Sequence, residues 1–381
     1  MKIIIGADLV PTKTNKDLFT SGNVIKLFGR ELLKDIKDSD VRIFNLETPL
    51  IESEDSIKKL GPTLGVNTCV INGIKKIDPT FITLANNHIM DHNVSGLKST
   101  IATLEKNNIE FGGVGNNISE ANKMWIKEIN GKRIGIYACA EHEFSIATND
   151  KPGANPFDYI DSYKCIEDNK NNCDFIIVLY HGGKEYYPYP SPLLQKRCRE
   201  FINRGADFVV CQHSHCIGCE ETYNGKKIVY GQGNFLFDKT NRIEWNHGLL
   251  LELILDKDSN YKLDYVVLTK NDNCIRKATK DEYSEVIDKY KIRSKEIKDD
   301  SFVKKTYKKY AMENIDIIFN KTDLIPNTFV SKFINKFTKN KLLNIYFKKI
   351  YLRKMSYKIA NVIECEAWNE LLQQILDEYN K

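Results

Sequence analysis

The sequence lacks any run approaching the ~20 apolar residues of a membrane-spanning helix, so no such helix is expected. Its first apolar run, Ile3-Ile4-Ile5, is too short for a signal-peptide core and meets an acid at Asp8. No framework spacing links the ten cysteines, which are therefore expected to stay reduced. Cys216-x-x-Cys219 has no second pair at zinc-ribbon spacing, which argues against a cysteine-bound zinc. No internal repeat is evident. Together these absences make the cytoplasm the expected location, with peripheral contact at the inner membrane face as a further option. Histidine is also scarce, at seven residues, so the place of each one carries information.

What is present describes a globular protein. The chain has 381 residues, 42% hydrophobic and 28% charged, with a net charge of +5. That length supports a large core and more than one domain. Apolar, β-branched runs mark strands at residues 2–7, 40–46, 80–84, 173–180, 206–210 and 226–230. Asn130-Gly131 reads as a hairpin turn between strands at 124–129 and 133–138. Helices are expected at 96–107 and 193–204, the second ending at Gly205. The strand, helix and strand from 173 to 210 form a βαβ unit. Two further strands, 248–255 and 261–268, are expected to close the domain as an antiparallel pair.

The polar residues that end these strands form a pattern. Asp8 follows the first strand, Glu47 the second, Asn86-Asn87-His88 the third, His181 the fourth and His213-Ser214-His215 the fifth. Taken singly, each has an ordinary reading: Asp8 as a capping acid, Glu47 as a solvated loop residue, Asn86 and Asn87 as turn formers. In an extended chain His213 and His215 would point to one side; a turn at the strand end can re-aim each. The βαβ unit places His181 beside that pair. One shared site accounts for all the strand ends together. Six oxygen and nitrogen donors without cysteine (Asp8, Glu47, Asn87, His181, His213 and His215) suit two borderline divalent cations such as Mn, Fe or Zn. Two ions ~3.5–4 Å apart clamp a phosphoryl centre. His88 is placed to protonate a leaving oxygen, and Asp91 to orient His88. Asn86, Glu185 and Asn234 are assigned to substrate binding, the last from the Gly231-Gln232-Gly233-Asn234 turn. His92 is expected at the surface, and His142 and His247 outside the site.

The character of the chain changes near residue 270. This sets one domain at 1–270 and a helical, Lys- and aromatic-rich region at 271–381. Residues 301–360 hold 14 Lys or Arg against 3 Asp or Glu, with Phe329, Phe333 and Phe337 on one helix face. That pattern suits an amphipathic helix on an anionic membrane or a polyanionic substrate; the alternative is a small helical domain with a basic exterior. No specific nucleic-acid partner is expected. A more acidic helix is expected from 362 to 379.

The ordered motifs resemble the calcineurin-like metallophosphoesterase superfamily, and more closely the CapA (poly-γ-glutamate capsule biosynthesis) family of bacteria. The stretches that carry the likeness are Gly6-Ala7-Asp8, Asn45-Leu46-Glu47-Thr48-Pro49, Ala85-Asn86-Asn87-His88-Ile89-Met90-Asp91, His181-Gly182-Gly183-Lys184-Glu185-Tyr186, residues 205–215 and Tyr230-Gly231-Gln232-Gly233-Asn234-Phe235. The resemblance implies an α/β fold, a four-layer αββα sandwich around a dinuclear metal centre, followed here by a mostly helical basic extension. It implies Asp8 and Glu47 as shared or first-metal ligands. It assigns Asn87, His181 and His213 to one ion, His215 to the other, and His88 as general acid. Three positions depart from the family pattern. Val10 stands where an Asp-x-His motif has its His, Glu47 replaces an Asp, and Gln212 replaces a Gly before His-x-His.

The expected function is a metal-dependent hydrolase, a phosphoesterase by its chemistry, in capsule or surface-polymer biosynthesis. Its expected substrate is an anionic polymer or a lipid-linked phosphate. Two alternatives stay open. One is a non-catalytic CapA-like scaffold in a polymer-synthesis complex; the other is a hydrolase or ligase component acting on γ-glutamyl amide bonds.

Overall fold

Two sheets packed face to face carry the fold. In this computed structural model, residues 1–238, 241–314, 361, 363 and 365–379 are described. The first sheet orders its strands Cys274–Lys277, Tyr261–Asn271, His247–Leu255, Lys2–Leu9, Val41–Leu46, Phe81–Thr83 and Phe111–Gly112, with Asn234–Leu236 also paired to Lys2–Leu9. The second runs Glu220–Tyr223, Lys226–Val229, Phe208–Gln212, Phe175–His181, Lys132–Ala140 and Trp125–Ile129. Five strands of the first sheet and four of the second run parallel, which requires helical crossovers on the outer faces.

Side-chain alternation explains the layers. Ile3, Ile5 and Ile43 of the first sheet and Ile177, Leu179 and Val210 of the second point into one shared apolar core between the sheets. Ile4, Phe44 and Ile82 point the other way, against Phe28, Leu32, Leu97 and Leu104 of the first helical layer. Val178, Tyr180 and Val209 do the same in the second sheet, against Ile166, Leu194 and Phe201. The result is the expected four-layer αββα sandwich. The predicted hairpin is present: Asn130 and Gly131 have φ of 49° and 75°, and the flanking strands pair antiparallel.

The chain divides into two compact units, Met1–Tyr307 and Lys308–Lys381. The first runs well past the change of composition near 270. Helix Lys280–Glu296 belongs to it, because Ile287 and Tyr290 enter the core between the sheets. Tyr290 Oη also donates to Glu220 Oε2 at 3.0 Å, and Arg293 Nε to the Gly218 carbonyl at 2.7 Å. A lysine-rich exterior therefore conceals a helix that packs like any other. In the second unit, helix Glu366–Tyr379 carries Trp368, Leu371, Leu372, Ile375 and Leu376 at the spacing of one helix face, all exposed. The Phe329, Phe333 and Phe337 face lies outside the described residues, as does most of the basic 301–360 stretch. Among the described residues, no helix is long and apolar enough to cross a membrane.

Candidate metal centre

The site sits where the parallel strands of both sheets end at their carboxyl side, the usual ligand position in such sheets. Asp8 is the penultimate residue of strand Lys2–Leu9, Glu47 directly follows Val41–Leu46, and Asn86, Asn87 and His88 follow Phe81–Thr83. His181 ends Phe175–His181, in register with Gln212 at the end of the neighbouring strand. The backbone then turns sharply. His213 and His215 have φ of 93° and 52°, a left-handed conformation that is costly for any residue but glycine. This turn brings both imidazoles to Glu47. The His181 and His213 rings end 4.9 Å apart, and those of His213 and His215 5.9 Å apart.

Nearly all of these groups are buried. Asp8 and Glu47 have no exposed surface, and the three histidines retain only 3–6%. Asn45 Nδ2 donates to Asp8 Oδ1 at 2.7 Å and to His181 Nδ1 at 3.1 Å. That leaves His181 Nε2 facing Asn87 Oδ1 at 3.0 Å and Glu47 Oε1 at 3.3 Å. His215 Nδ1 lies 2.8 Å from Asn234 Oδ1 and 3.4 Å from Asp8 Oδ2, so its Nε2 faces inward, 4.0 Å from Glu47 Oε1. Glu47, His213 and His215 each bring a donor atom to within 4.8 Å of the other two.

Glu47 is the residue without an explanation in the protein alone. Neither of its oxygens has a hydrogen-bond partner, although both are buried, and His213 Nδ1 is in the same position. Burial, and after it the Asp8 carboxylate, hold the Glu47 carboxyl well above the usual range. Burial also pulls Asp8 upward, but the His215 hydrogen bond and the nearby imidazoles outweigh it and leave Asp8 lowered. Burial pushes His181 down to about 4, and burial with the neighbouring imidazoles pushes His213 well below its ordinary value. His215 goes the other way: burial lowers it, yet Glu47 and Asp8 raise it to about 9. In the metal-free cluster His181 and His213 thus favour the neutral imidazole, His215 favours the charged one, and Glu47 is shifted toward its protonated form. An orphaned carboxylate ringed by imidazole and amide donors fits a divalent cation. Cys216 and Cys219 stand apart as buried free thiols.

His88 and Asp91 form a second group beside the first. His88 Nδ1 donates to Asp91 Oδ2 at 2.6 Å. Asp91 also accepts from the Leu64 backbone N–H and pairs with Lys59, whose Nζ lies 3.2 Å from His88 Nδ1. Burial lowers His88 despite the Asp91 carboxylate. Lys59 was not visible as a site residue in the sequence. It sits in an irregular stretch with no pattern of its own, and its side chain is 3% exposed. Asn45 was missed for another reason: inside Val41–Leu46 it reads as an ordinary strand residue.

Two residues assigned to substrate have other work. Asn86 is fully buried. Its Nδ2 donates to the Leu46 carbonyl and Asn45 Oδ1, and its Oδ1 accepts from the His88 N–H. Asn234 orients His215 and donates to the Trp245 carbonyl at 3.4 Å. Both therefore support the site from behind. Glu185 is exposed, and its charge contributes to raising Glu47. Gln212 earns its place by bridging strands, donating to the Gly6 carbonyl and Gln232 Oε1. His92 is buried, contrary to the surface position expected, and its Nδ1 accepts from the Asp55 N–H at 3.0 Å. Trp245 completes the wall, its ring 4.4 Å from that of His215.

Comparison with known proteins adds the following. The sequence pattern of the bacterial capsule synthesis protein family PGA_cap matches residues 8–239. The capsule biosynthesis protein CapA of Bacillus anthracis is 29% identical over 213 residues, covering 54% of this chain and 52% of that protein. The PGA biosynthesis protein CapA of Bacillus subtilis is 31% identical over 179 residues, covering 46% of this chain and 47% of that protein. The matched region therefore spans about half the length of these relatives. Among solved structures, a novel phosphatase of Mycoplasma pneumoniae aligns at a TM-score of 0.46 and 13% identity, covering 71% of this chain and 94% of that one.

Proposed function

Because the chain belongs to the bacterial capsule synthesis protein family PGA_cap, we propose that it is a metal-dependent hydrolase of phosphoesters acting in capsule or surface-polymer biosynthesis. The observation that carries this reading is Glu47, a buried carboxylate with both oxygens unpartnered and imidazole nitrogens at 3.3 and 4.0 Å. In the proposed site, Asp8, Glu47, Asn87, His181, His213 and His215 would hold two divalent ions, which would supply Lewis-acid polarisation of a phosphoryl oxygen.

The chain's own residues do the rest. Asp91 accepts from His88 Nδ1–H and fixes the ring, so Nε2 carries a proton only when the imidazole is charged, a form the Asp91 carboxylate favours. From that charged form His88 Nε2 gives its proton to the departing oxygen and returns to the neutral imidazole. Lys59 and the Leu64 N–H hold Asp91 in place against the imidazole. Trp245 and the burial of the histidines limit water around the reacting group, which strengthens each electrostatic contact. A non-catalytic scaffold is the second reading. It is favoured by Val10, a buried apolar side chain at 1% exposure where the family pattern supplies a histidine.

The test is hydrolysis of an aryl phosphate by chain reconstituted with Mn or Fe. Activity lost in His88→Ala and His213→Ala supports the hydrolase. Metal retained without turnover supports the scaffold.

A further inference from the structure

A cavity of about 530 Å³ opens beside the metal centre and shares two of its loops. That volume is within the ~300–1,000 Å³ typical of small-molecule sites. Its rim is tied to the site: the Glu141 N–H donates to the His181 carbonyl at 2.9 Å. Two residues on, Glu143 Oε1 lies 4.0 Å from His213 Nε2. Lys184 lines the cavity three residues after His181, and its charge is among those that lower His213.

Arg197 sits in the cavity wall and is unusually well held. Its guanidinium stacks 4.7 Å from the Phe157 ring centroid and 5.3 Å from that of Tyr159. Its Nε donates to Tyr159 Oη at 3.1 Å and its Nη1 to Tyr180 Oη at 3.0 Å. Phenol oxygens orient a cation without neutralising it. The nearest carboxylate, Glu141 Oε1, is 3.9 Å away. Those bonds use Nε and Nη1 and leave Nη2 for a ligand. A guanidinium fixed in this way loses little entropy when it binds a planar oxyanion. Lys184, exposed, adds a second positive charge, one of those that act on His213. Leu193, Leu194 and Phe157 add apolar lining.

We propose that this cavity is an oxyanion subsite, in which Arg197 and Lys184 seat a carboxylate or phosphate borne on a short apolar linker of the same substrate whose reacting group lies at the metal centre. The inference rests on the reading of the centre as a substrate site and narrows the substrate class to molecules with a second anionic group. Arg197 and Lys184 are binding residues in this scheme and take no part in proton transfer.

The test separates the subsite from the metal centre. The full chain is stripped of metal and titrated calorimetrically with two probes, inorganic pyrophosphate and tri-glutamate. One probe is expected to bind at one site per chain with a Kd of about 1 mM or tighter; the tighter probe tells phosphate from carboxylate. Lys184→Ala is expected to weaken it about fivefold and Arg197→Gln about tenfold, with metal loading unchanged in both. Lys184 is exposed, so its variant tests the proposal even if Arg197→Gln folds poorly. No binding of either probe, or Lys184→Ala binding as wild type does, overturns the subsite. Probe binding in a chain that takes up no metal would instead overturn the metal centre and leave the subsite standing.

Discussion

Glu47 Oε1 lies 3.3 Å from His181 Nε2, and neither oxygen of Glu47 accepts a hydrogen bond. Removing an ionised carboxylate from water costs several kcal/mol unless a partner offsets it. Burial shifts the Glu47 carboxyl toward its protonated form, and a cation would offset the cost by coordination. Protonation, metal binding and stability are therefore one linked equilibrium at this site.

Metal loading should expel protons. At pH 7 the metal-free chain holds a proton on His215, raised to about 9. About one proton per chain is therefore expected to leave on loading, and fewer in His215→Gln. Calorimetric titration with Mn in buffers of different ionisation enthalpy measures the number. A value near zero would contradict the account of the cluster.

His215 should also shape stability against pH. Its folded value is about 9 and its ordinary value 6.5. Its contribution is complete below pH 6.5 and is lost as pH rises through 9. Lys270, brought down to about 7 by burial, works in the opposite sense and gains stability as pH rises above 7. The informative quantity is thus the difference between wild type and His215→Gln, both metal-free. That difference is expected to shrink by on the order of 3 kcal/mol between pH 6 and pH 9.5 in urea unfolding. A constant difference would show that His215 is not held protonated.

The His88–Asp91–Lys59 group should act on turnover and not on metal content. His88→Ala and Asp91→Asn are expected to lower kcat on an aryl phosphate by about 10²–10⁴-fold with metal retained. Lys59→Met should raise the His88 titration, because the Lys59 charge is one of the influences that lower it. Imidazole proton resonances followed against pH give the direction, and a fall would contradict the contact.

Gly248 supports the site by its lack of a side chain. A Cβ there would stand 1.9 Å from the Asn234 carbonyl oxygen, and Asn234 orients His215. Gly248→Ala is expected to cost about 2–4 kcal/mol and to weaken Mn binding. Gly131→Ala, where a Cβ meets nothing within 4 Å, is expected to cost about 1 kcal/mol through its positive φ and to leave Mn binding unchanged. Thermal unfolding and Mn titration of the two variants check this pair.

Much of this site was legible in the sequence because apolar strand runs end abruptly in polar groups. That pattern placed Asp8, Glu47, Asn87, His181, His213 and His215 around one location before any coordinates. It could not reveal Lys59, whose position depends on tertiary contacts of an irregular loop. Nor could it separate residues that face the cleft from those behind it, so Asn86 and Asn234 read as substrate contacts although both are spent on internal hydrogen bonds. The compact unit runs to Tyr307, past the change of composition near 270, for a related reason. Composition reports the solvent face of helix Lys280–Glu296, whereas Ile287 and Tyr290 on its other face decide where it packs.

Metal stoichiometry of the full chain after reconstitution with Mn tests the central claim most directly. Elemental analysis is expected to find two ions per chain in wild type and loss of bound metal in Glu47→Ala. A wild-type chain that retains no ion, or a Glu47→Ala chain that retains as much as wild type, would contradict it.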